Sequence, residues 1–187
     1  MANVPQIKVL GISGSLRRGS FNTAALREAM RLAPAGMLIE LADIGEIPLY
    51  DEDVYAQGFP PAVEHLREQI RAADALLIAT PEYNYSVPGV LKNTIDWVSR
   101  PPEQPFAGKP VALLGASAGR FGTARAQYHL RQSMVFLDMR PLNRPELMIG
   151  TAQKLFDEQG NLTDEATREH LRGLLVALQA WTLEHRK

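Results

Sequence analysis

The sequence contains no cysteine. That absence excludes disulfides, thiolate nucleophiles, cysteine-ligated iron–sulfur clusters and cysteine-based zinc sites together, and it suits a reducing cytosol. Histidine is scarce as well: His65, His129, His170 and His185 have no metal-ligand spacing such as H-E-x-x-H, so no metal is expected. An excess of one charge is also missing. Twenty Lys and Arg stand against 21 Asp and Glu, for a net charge of −1, which leaves no overall basic field to hold nucleic acid or an anionic membrane surface. Any anion must therefore be gripped locally. No apolar run approaches the ~20 residues that span a bilayer, and the most apolar segment, Ala75 to Ala79, meets Pro81 and Glu82 at once. Met1 to Ile7 has no basic stretch leading into an apolar one, so no signal peptide is expected and the protein is placed in the cytoplasm.

What is present is an ordinary globular composition, 45% hydrophobic and 22% charged over 187 residues, enough for one sizeable core. One domain over residues 1–187 is expected, since no repeat, low-complexity tract or linker divides the chain. Short apolar runs, too brief for helices, recur between segments of helical spacing, the pattern of buried parallel strands alternating with crossover helices. Strands are expected at Lys8 to Ile12, Met37 to Leu41, Ala75 to Ala79, Val111 to Gly115 and Glu146 to Ile149. Helices are expected at Asn22 to Leu32, Pro61 to Ala73, Pro88 to Ser99, Thr123 to Leu137 and Thr163 to Glu184, the last with Leu171, Leu174, Leu175, Leu178 and Trp181 on one face. Ile47 to Pro60 reads as a long surface loop. A doubly wound, three-layer α/β sandwich is the economical architecture.

In such a sheet ligands bind beyond the carboxyl ends of the strands. Three loops there are chemically unusual. The first, Gly11 to Asn22, brings small residues, hydroxyls, a pair of arginines and a capping Ser20 or Asn22 to a helix start, which makes a phosphate cradle. It matches neither G-x-x-x-x-G-K-S/T nor G-x-G-x-x-G, and Glu40 is only a weak candidate for a ribose contact. The second loop, Thr80 to Gly89, carries two tyrosines, an amide and a hydroxyl on a backbone stiffened by Pro81 and Pro88, which suits a flat heteroaromatic ligand or a plain surface loop. Trp97, in the helix beyond it, is assigned to packing. The third loop, Gly115 to Gly122, also fits G-x-S-x-G, so a serine hydrolase using Ser117 with an acid and His170 stands as an alternative.

Taken jointly, Gly-Ser-Leu-Arg-Arg-Gly-Ser-Phe-Asn from Gly14, Pro-Glu-Tyr-Asn-Tyr-Ser-Val-Pro-Gly-Val-Leu-Lys-Asn from Pro81 and Gly-Ala-Ser-Ala-Gly from Gly115 resemble the NADPH-dependent FMN reductase family, in its bacterial quinone, chromate and azo-dye reductase branch. The resemblance implies a flavodoxin-like fold whose five-stranded parallel sheet has the order 2-1-3-4-5, with FMN bound noncovalently. It implies that Ser15, Leu16, Arg17, Ser20 and Asn22 hold the phosphate, that Pro81, Glu82, Tyr83 and Asn84 edge the isoalloxazine, and that Ser117 and Gly119 close the site. The expected mechanism is ping-pong, with NADPH or NADH giving hydride to the flavin before a small-molecule acceptor takes its place; no protein side chain is assigned a catalytic role. NADPH over NADH follows from the resemblance alone, because the sequence marks no 2′-phosphate site. The resemblance also implies a homodimer or dimer of dimers, with the helix bearing Arg125, Tyr128, His129 and Arg131 and the Asp51 to Phe59 loop near the partner. The rival from another class is a flavodoxin-type electron carrier, disfavoured because net charge −1 gives little acidic field for basic partners.

Overall fold

The computed structural model describes residues 6–186; residues 1–5, on which part of the N-terminal reading falls, lie outside the described residues. The chain alternates strand and helix: β1 (Ile7–Ser13), α1 (Phe21–Leu32), β2 (Met37–Ala42), α2 (Glu52–Tyr55), α3 (Pro61–Ala72), β3 (Ala75–Ala79), α4 (Gly89–Val98), β4 (Pro110–Ala116), α5 (Ala124–Phe136), β5 (Arg140–Pro141), β6 (Leu147–Ile149) and α6 (Glu165–His185). The strands are parallel in the order β2-β1-β3-β4-β5, with β6 also on β4. The expected order is therefore present, with one correction. The fifth strand is two short pieces: Pro110 and Val111 pair with Arg140 and Pro141, while Leu114 to Ala116 pair with Leu147 to Ile149. A proline has no N–H for the ladder, so a piece ending at Pro141 cannot extend as a regular strand.

Side-chain alternation divides the core between the two faces of the sheet. In β3, Ala75, Leu77 and Ala79 pack toward α1 and α6, while Leu76 and Ile78 pack with Val63, Leu66 and Ile70 of α3 and Leu91 and Ile95 of α4. Strands β3 and β4 are buried along their whole length, which is why they read as unbroken apolar runs. Strand β2, at the edge, alternates buried Met37 and Ile39 with exposed Leu38 and Glu40. Helix α6 covers one face through Leu171, Leu174, Leu175 and Leu178, the stripe expected from spacing, and Trp181 Nε1 donates to the Arg140 carbonyl at 2.9 Å. Its N-cap is Asp164, whose carboxylate accepts from the Thr167 N–H at 2.8 Å.

A second correction concerns residues 47–60, expected to be a plain loop. They contain the one-turn helix α2, and Tyr50 and Tyr55 lay their rings against the fully buried Trp97 at centroid distances of 4.8 and 6.5 Å. Trp97 Nε1 donates to the Pro48 carbonyl at 2.9 Å, so the segment is stitched to α4. Nearby, the buried Arg67 aims its guanidinium at the carbonyls of Val98, Arg100 and Pro102 at 2.6, 2.9 and 2.6 Å, which fixes the turn leading to β4. Burial lowers its pKa from the ordinary arginine value. Among the described residues no helix is long and apolar enough to cross a membrane.

Candidate functional site

Strands β1, β3 and β4 end side by side at the centre of the sheet, and their following loops meet beyond those ends. Two backbone bonds splice them, Gly14 N–H to the Ala79 carbonyl at 2.8 Å and Thr80 N–H to Leu114 at 2.9 Å, and a third, Ser117 N–H to Ile149 at 3.0 Å, ties the last loop to β6. The loops approach so closely that a side chain is crowded at Gly14 and excluded at Gly115. A Cβ on Gly14 would lie 3.1 Å from both Pro81 and Leu91, and one on Gly115 would lie 1.7 Å from Thr123 Oγ1 and 2.5 Å from the Thr80 carbonyl oxygen.

Between the loops lies a cavity of about 360 Å³, within the usual range for a small-molecule site. The first loop contributes Ser15, Arg17, Ser20, Phe21 and Asn22, the second Pro81, Glu82 and Tyr83, and the third Ala116, Ser117 and Ala118. Eight of the eleven residues expected from sequence thus share one wall. Leu16, Asn84 and Gly119 stand outside it: Leu16 lines a neighbouring cavity, and Asn84 forms the apex of a turn. Phe21, Ala116 and Ala118 line the cavity without having been expected there. An alanine carries no signal in sequence, and Phe21 is marked only by its place at a helix start.

Several of the lining side chains also hold the loops that form the site. Ser20 is the N-cap of α1, accepting from Thr23 N–H at 3.3 Å; Asn22, the other capping candidate, is not the cap. Instead its buried carboxamide makes a reciprocal pair with Ala116, donating through Nδ2 to the carbonyl and accepting the N–H through Oδ1, both at 2.9 Å. A residue expected to bind through its side chain is therefore a clamp between the first and third loops. The N–H groups of Phe21 and Asn22 have no acceptor among the described residues, because the first turn of a helix has no preceding carbonyls to meet. These donors and the positive end of α1 face the cavity near Arg17.

Glu82 behaves alike. The N-cap of α5 is Thr123, which makes no side-chain cap, and the Glu82 carboxylate from the second loop supplies one, accepting from the Arg125 and Ala126 N–H groups at 3.1 and 3.2 Å. The same carboxylate pairs with the Arg125 guanidinium. Beyond Glu82, reciprocal Tyr83–Ser86 backbone bonds of 3.2 and 2.9 Å and positive φ at Asn84 (49°) and Tyr85 (65°) define a type I′ turn. Tyrosine tolerates that conformation poorly, at a cost of roughly 1–2 kcal/mol. Its ring is held by Arg125, whose Cζ lies 3.6 Å from the centroid, and Ser86 Oγ hydrogen-bonds His129 Nδ1 at 2.8 Å. The 43-residue separation between Glu82 and Arg125 explains why the sequence hid this brace.

The serine-hydrolase alternative lacks its base. Ser117 Oγ donates to the Gly119 carbonyl at 3.2 Å, and among the described residues no imidazole hydrogen-bonds it. No group of three or more potential metal ligands occurs among the described residues either.

Residues 7–154 match the family model of the NADPH-dependent FMN reductases. Over 175 residues the chain is 74% identical to an NAD(P)H-dependent FMN reductase of Pseudomonas aeruginosa, covering 94% of this chain and 95% of that protein. It is 53% identical to a quinone reductase of Escherichia coli, covering 92% and 93% respectively. Among solved structures it resembles the flavoenzyme NAD(P)H:(acceptor) oxidoreductase FerB of Paracoccus denitrificans, with TM-score 0.87, 36% identity and coverage of 96% and 98%.

Proposed function

The chain belongs to the NADPH-dependent FMN reductase family, and from that premise we propose that it is an FMN-dependent NAD(P)H oxidoreductase, a single FMN-binding domain that passes electrons from NADPH or NADH to small acceptors of the quinone, free-flavin, azo or chromate type. The observation that carries the reading is the convergence of three strand-end loops on one cavity whose walls offer unengaged helix-start N–H donors, hydroxyls and a guanidinium at one end and rigid loop backbone at the other. When bound, FMN supplies the redox chemistry, accepting hydride from the nicotinamide and delivering electrons to the acceptor.

The chain's own part is to bind, orient and leave access. The N–H groups of Phe21 and Asn22 with Ser15, Ser20 and Arg17 would hold the phosphate. Hydrogen bonds to charged groups contribute roughly 1.5–3 kcal/mol each, so four or five suffice without any net protein charge. Leu16 would flank the phosphate from the adjacent cavity. The backbone of Pro81, Glu82, Tyr83 and Asn84 would edge the flavin ring, kept in register because Glu82 is tied to α5. Ser117 and Gly119 would close the opposite side. Dipoles fixed before the reaction favour added electron density without reorganisation, which is how a site with no catalytic acid can assist. Exposed Tyr83, Tyr85 and Phe121 at the rim give flat surfaces on which varied acceptors can stack.

A homodimer or dimer of dimers in the cytoplasm completes the reading. Its support is the outward exposure of Val54, Val135 and Phe136, three large apolar side chains on the expected partner-facing elements. The test is anaerobic addition of NADPH to the FMN-loaded protein. Loss of flavin colour, restored by a benzoquinone, is expected; flavin that stays oxidised would assign an electron carrier instead.

A further inference from the structure

A second cavity, of about 460 Å³, lies on the other flank of the β1–α1 loop, against the end of β2. Ser15 and Arg17 line both cavities, so only this loop separates the second from the one assigned to FMN. Three guanidiniums border the second: Arg17, Arg18 and Arg27, all exposed, and none forms a salt bridge among the described residues. The one carboxylate on the same wall is Asp43, whose Oδ1 is engaged by the Gly45 N–H at 2.8 Å. The hydroxyls of Ser13 and Thr23, 2.8 Å from each other, add further polar groups. Three cations facing one committed carboxylate, beside hydroxyls, form a receptor for a multiply charged phosphoester.

We propose that this outer cavity is the site of the 2′-phosphate of NADPH, gripped by Arg18 and Arg27 with Arg17 between it and the FMN phosphate. The inference rests on the reading of the chain as a nicotinamide-dependent enzyme and adds the origin of its choice between the two nicotinamides. A ribose 2′-phosphate carries close to two negative charges at neutral pH, and a guanidinium meets it with paired donors. NADH presents a neutral hydroxyl at that position and gains nothing from the cluster. A third cavity, on the α1 side, is also lined by Arg18 and Arg27, but there Asp157 and Glu158 face them, so its two cations meet two carboxylates and an anion gains less. The β2 flank alone adds Arg17, which it shares with the FMN cavity, and that third guanidinium selects it.

The experiment compares Arg18→Ala, Arg27→Ala and the double variant with the wild type, all loaded with FMN. Both side chains are exposed and unpaired, so the variants should fold. The ratio of kcat/KM for NADPH to that for NADH is expected to favour NADPH in the wild type and to fall about tenfold or more in the double variant, through KM for NADPH; tenfold corresponds to ~1.4 kcal/mol. Independently of turnover, calorimetric titration with adenosine 2′,5′-bisphosphate is expected to show binding at least about tenfold tighter than adenosine 5′-monophosphate, a margin the double variant loses. Inorganic phosphate should compete weakly, which separates a nucleotide site from a general anion site. Equal use of both nicotinamides by the wild type, an unchanged ratio in the double variant, or loss of FMN with the ratio unchanged would each overturn the assignment. In all three cases flavin reduction by either nicotinamide would leave the functional reading standing; only failure of both to reduce it would remove that reading.

Discussion

Replacing Asn22 by Ala removes both hydrogen bonds that join the start of α1 to the end of β4, across 94 residues of chain. The N–H and carbonyl of Ala116 stay behind in a residue only 3% exposed, without the partners that Asn22 gave them. Leaving a buried polar group unpaired costs about 1–3 kcal/mol, so two such groups put the expected loss at roughly 2–6 kcal/mol, a large share of the ~5–15 kcal/mol that holds a typical domain. In urea, with a slope of ~2 kcal/mol/M, the midpoint of the FMN-free protein should fall by about 1–3 M with the slope unchanged. Affinity for FMN, read by fluorescence quenching, should weaken at least about tenfold, because the first and third loops lose their common anchor; tenfold is ~1.4 kcal/mol. Asn22→Asp keeps the acceptor but loses the donor and buries a charge, and should be no more stable than the alanine variant. An unchanged urea midpoint accompanied by lost FMN affinity would refute the clamp and make the Asn22 amide a direct phosphate ligand.

Gly115→Ala drives a methyl group into Thr123 and the Thr80 carbonyl, so it should lower stability by about 1–3 kcal/mol in the same urea assay and weaken FMN binding with it. Arg67→Ala removes the donor to four carbonyls at the turn before β4 and should cost at least about 3 kcal/mol, read as a fall in the denaturation midpoint. Hydrogen bonds from Thr167, side chain first and then backbone, hold the Asp164 carboxyl below its ordinary pKa. Its contribution is therefore complete above about pH 4 and fades as pH falls through the lower folded value, so Asp164→Asn should flatten the acid limb of thermal stability measured between roughly pH 2 and 6. Ser117→Ala should abolish no hydrolytic activity, and a fluorophosphonate probe should leave Ser117 of the native protein unlabelled, since its hydroxyl has no base.

Local chemistry made much of this legible before the structure. Strands β3 and β4 are buried on both faces and so announce themselves as unbroken apolar runs, and Leu171 to Leu178 give the period of α6 directly. The loops after β1, β3 and β4 stood out because functional loops collect glycine, proline and hydroxyl residues that regular elements avoid. What stayed hidden depends on partners distant in sequence. Nothing local to Asn22 indicates Ala116, nothing near Glu82 indicates that it caps α5, and the stacking of Tyr50 and Tyr55 on Trp97 turns an apparently loose segment into a packed one. The broken fifth strand escaped for another reason: two residues ending in proline are too short to carry a period. The unpaired state of Arg17, Arg18 and Arg27 is likewise a property of what surrounds them, which composition does not reveal.

The central claim, that the three loops together hold one FMN, is tested most directly by titrating purified protein, stripped of bound small molecules, with FMN and following the quenching of flavin fluorescence. One FMN per chain, bound tightly enough to survive gel filtration and weakened by Ser20→Ala, is the result this account predicts. Folded protein that remains colourless after gel filtration from excess FMN would contradict it.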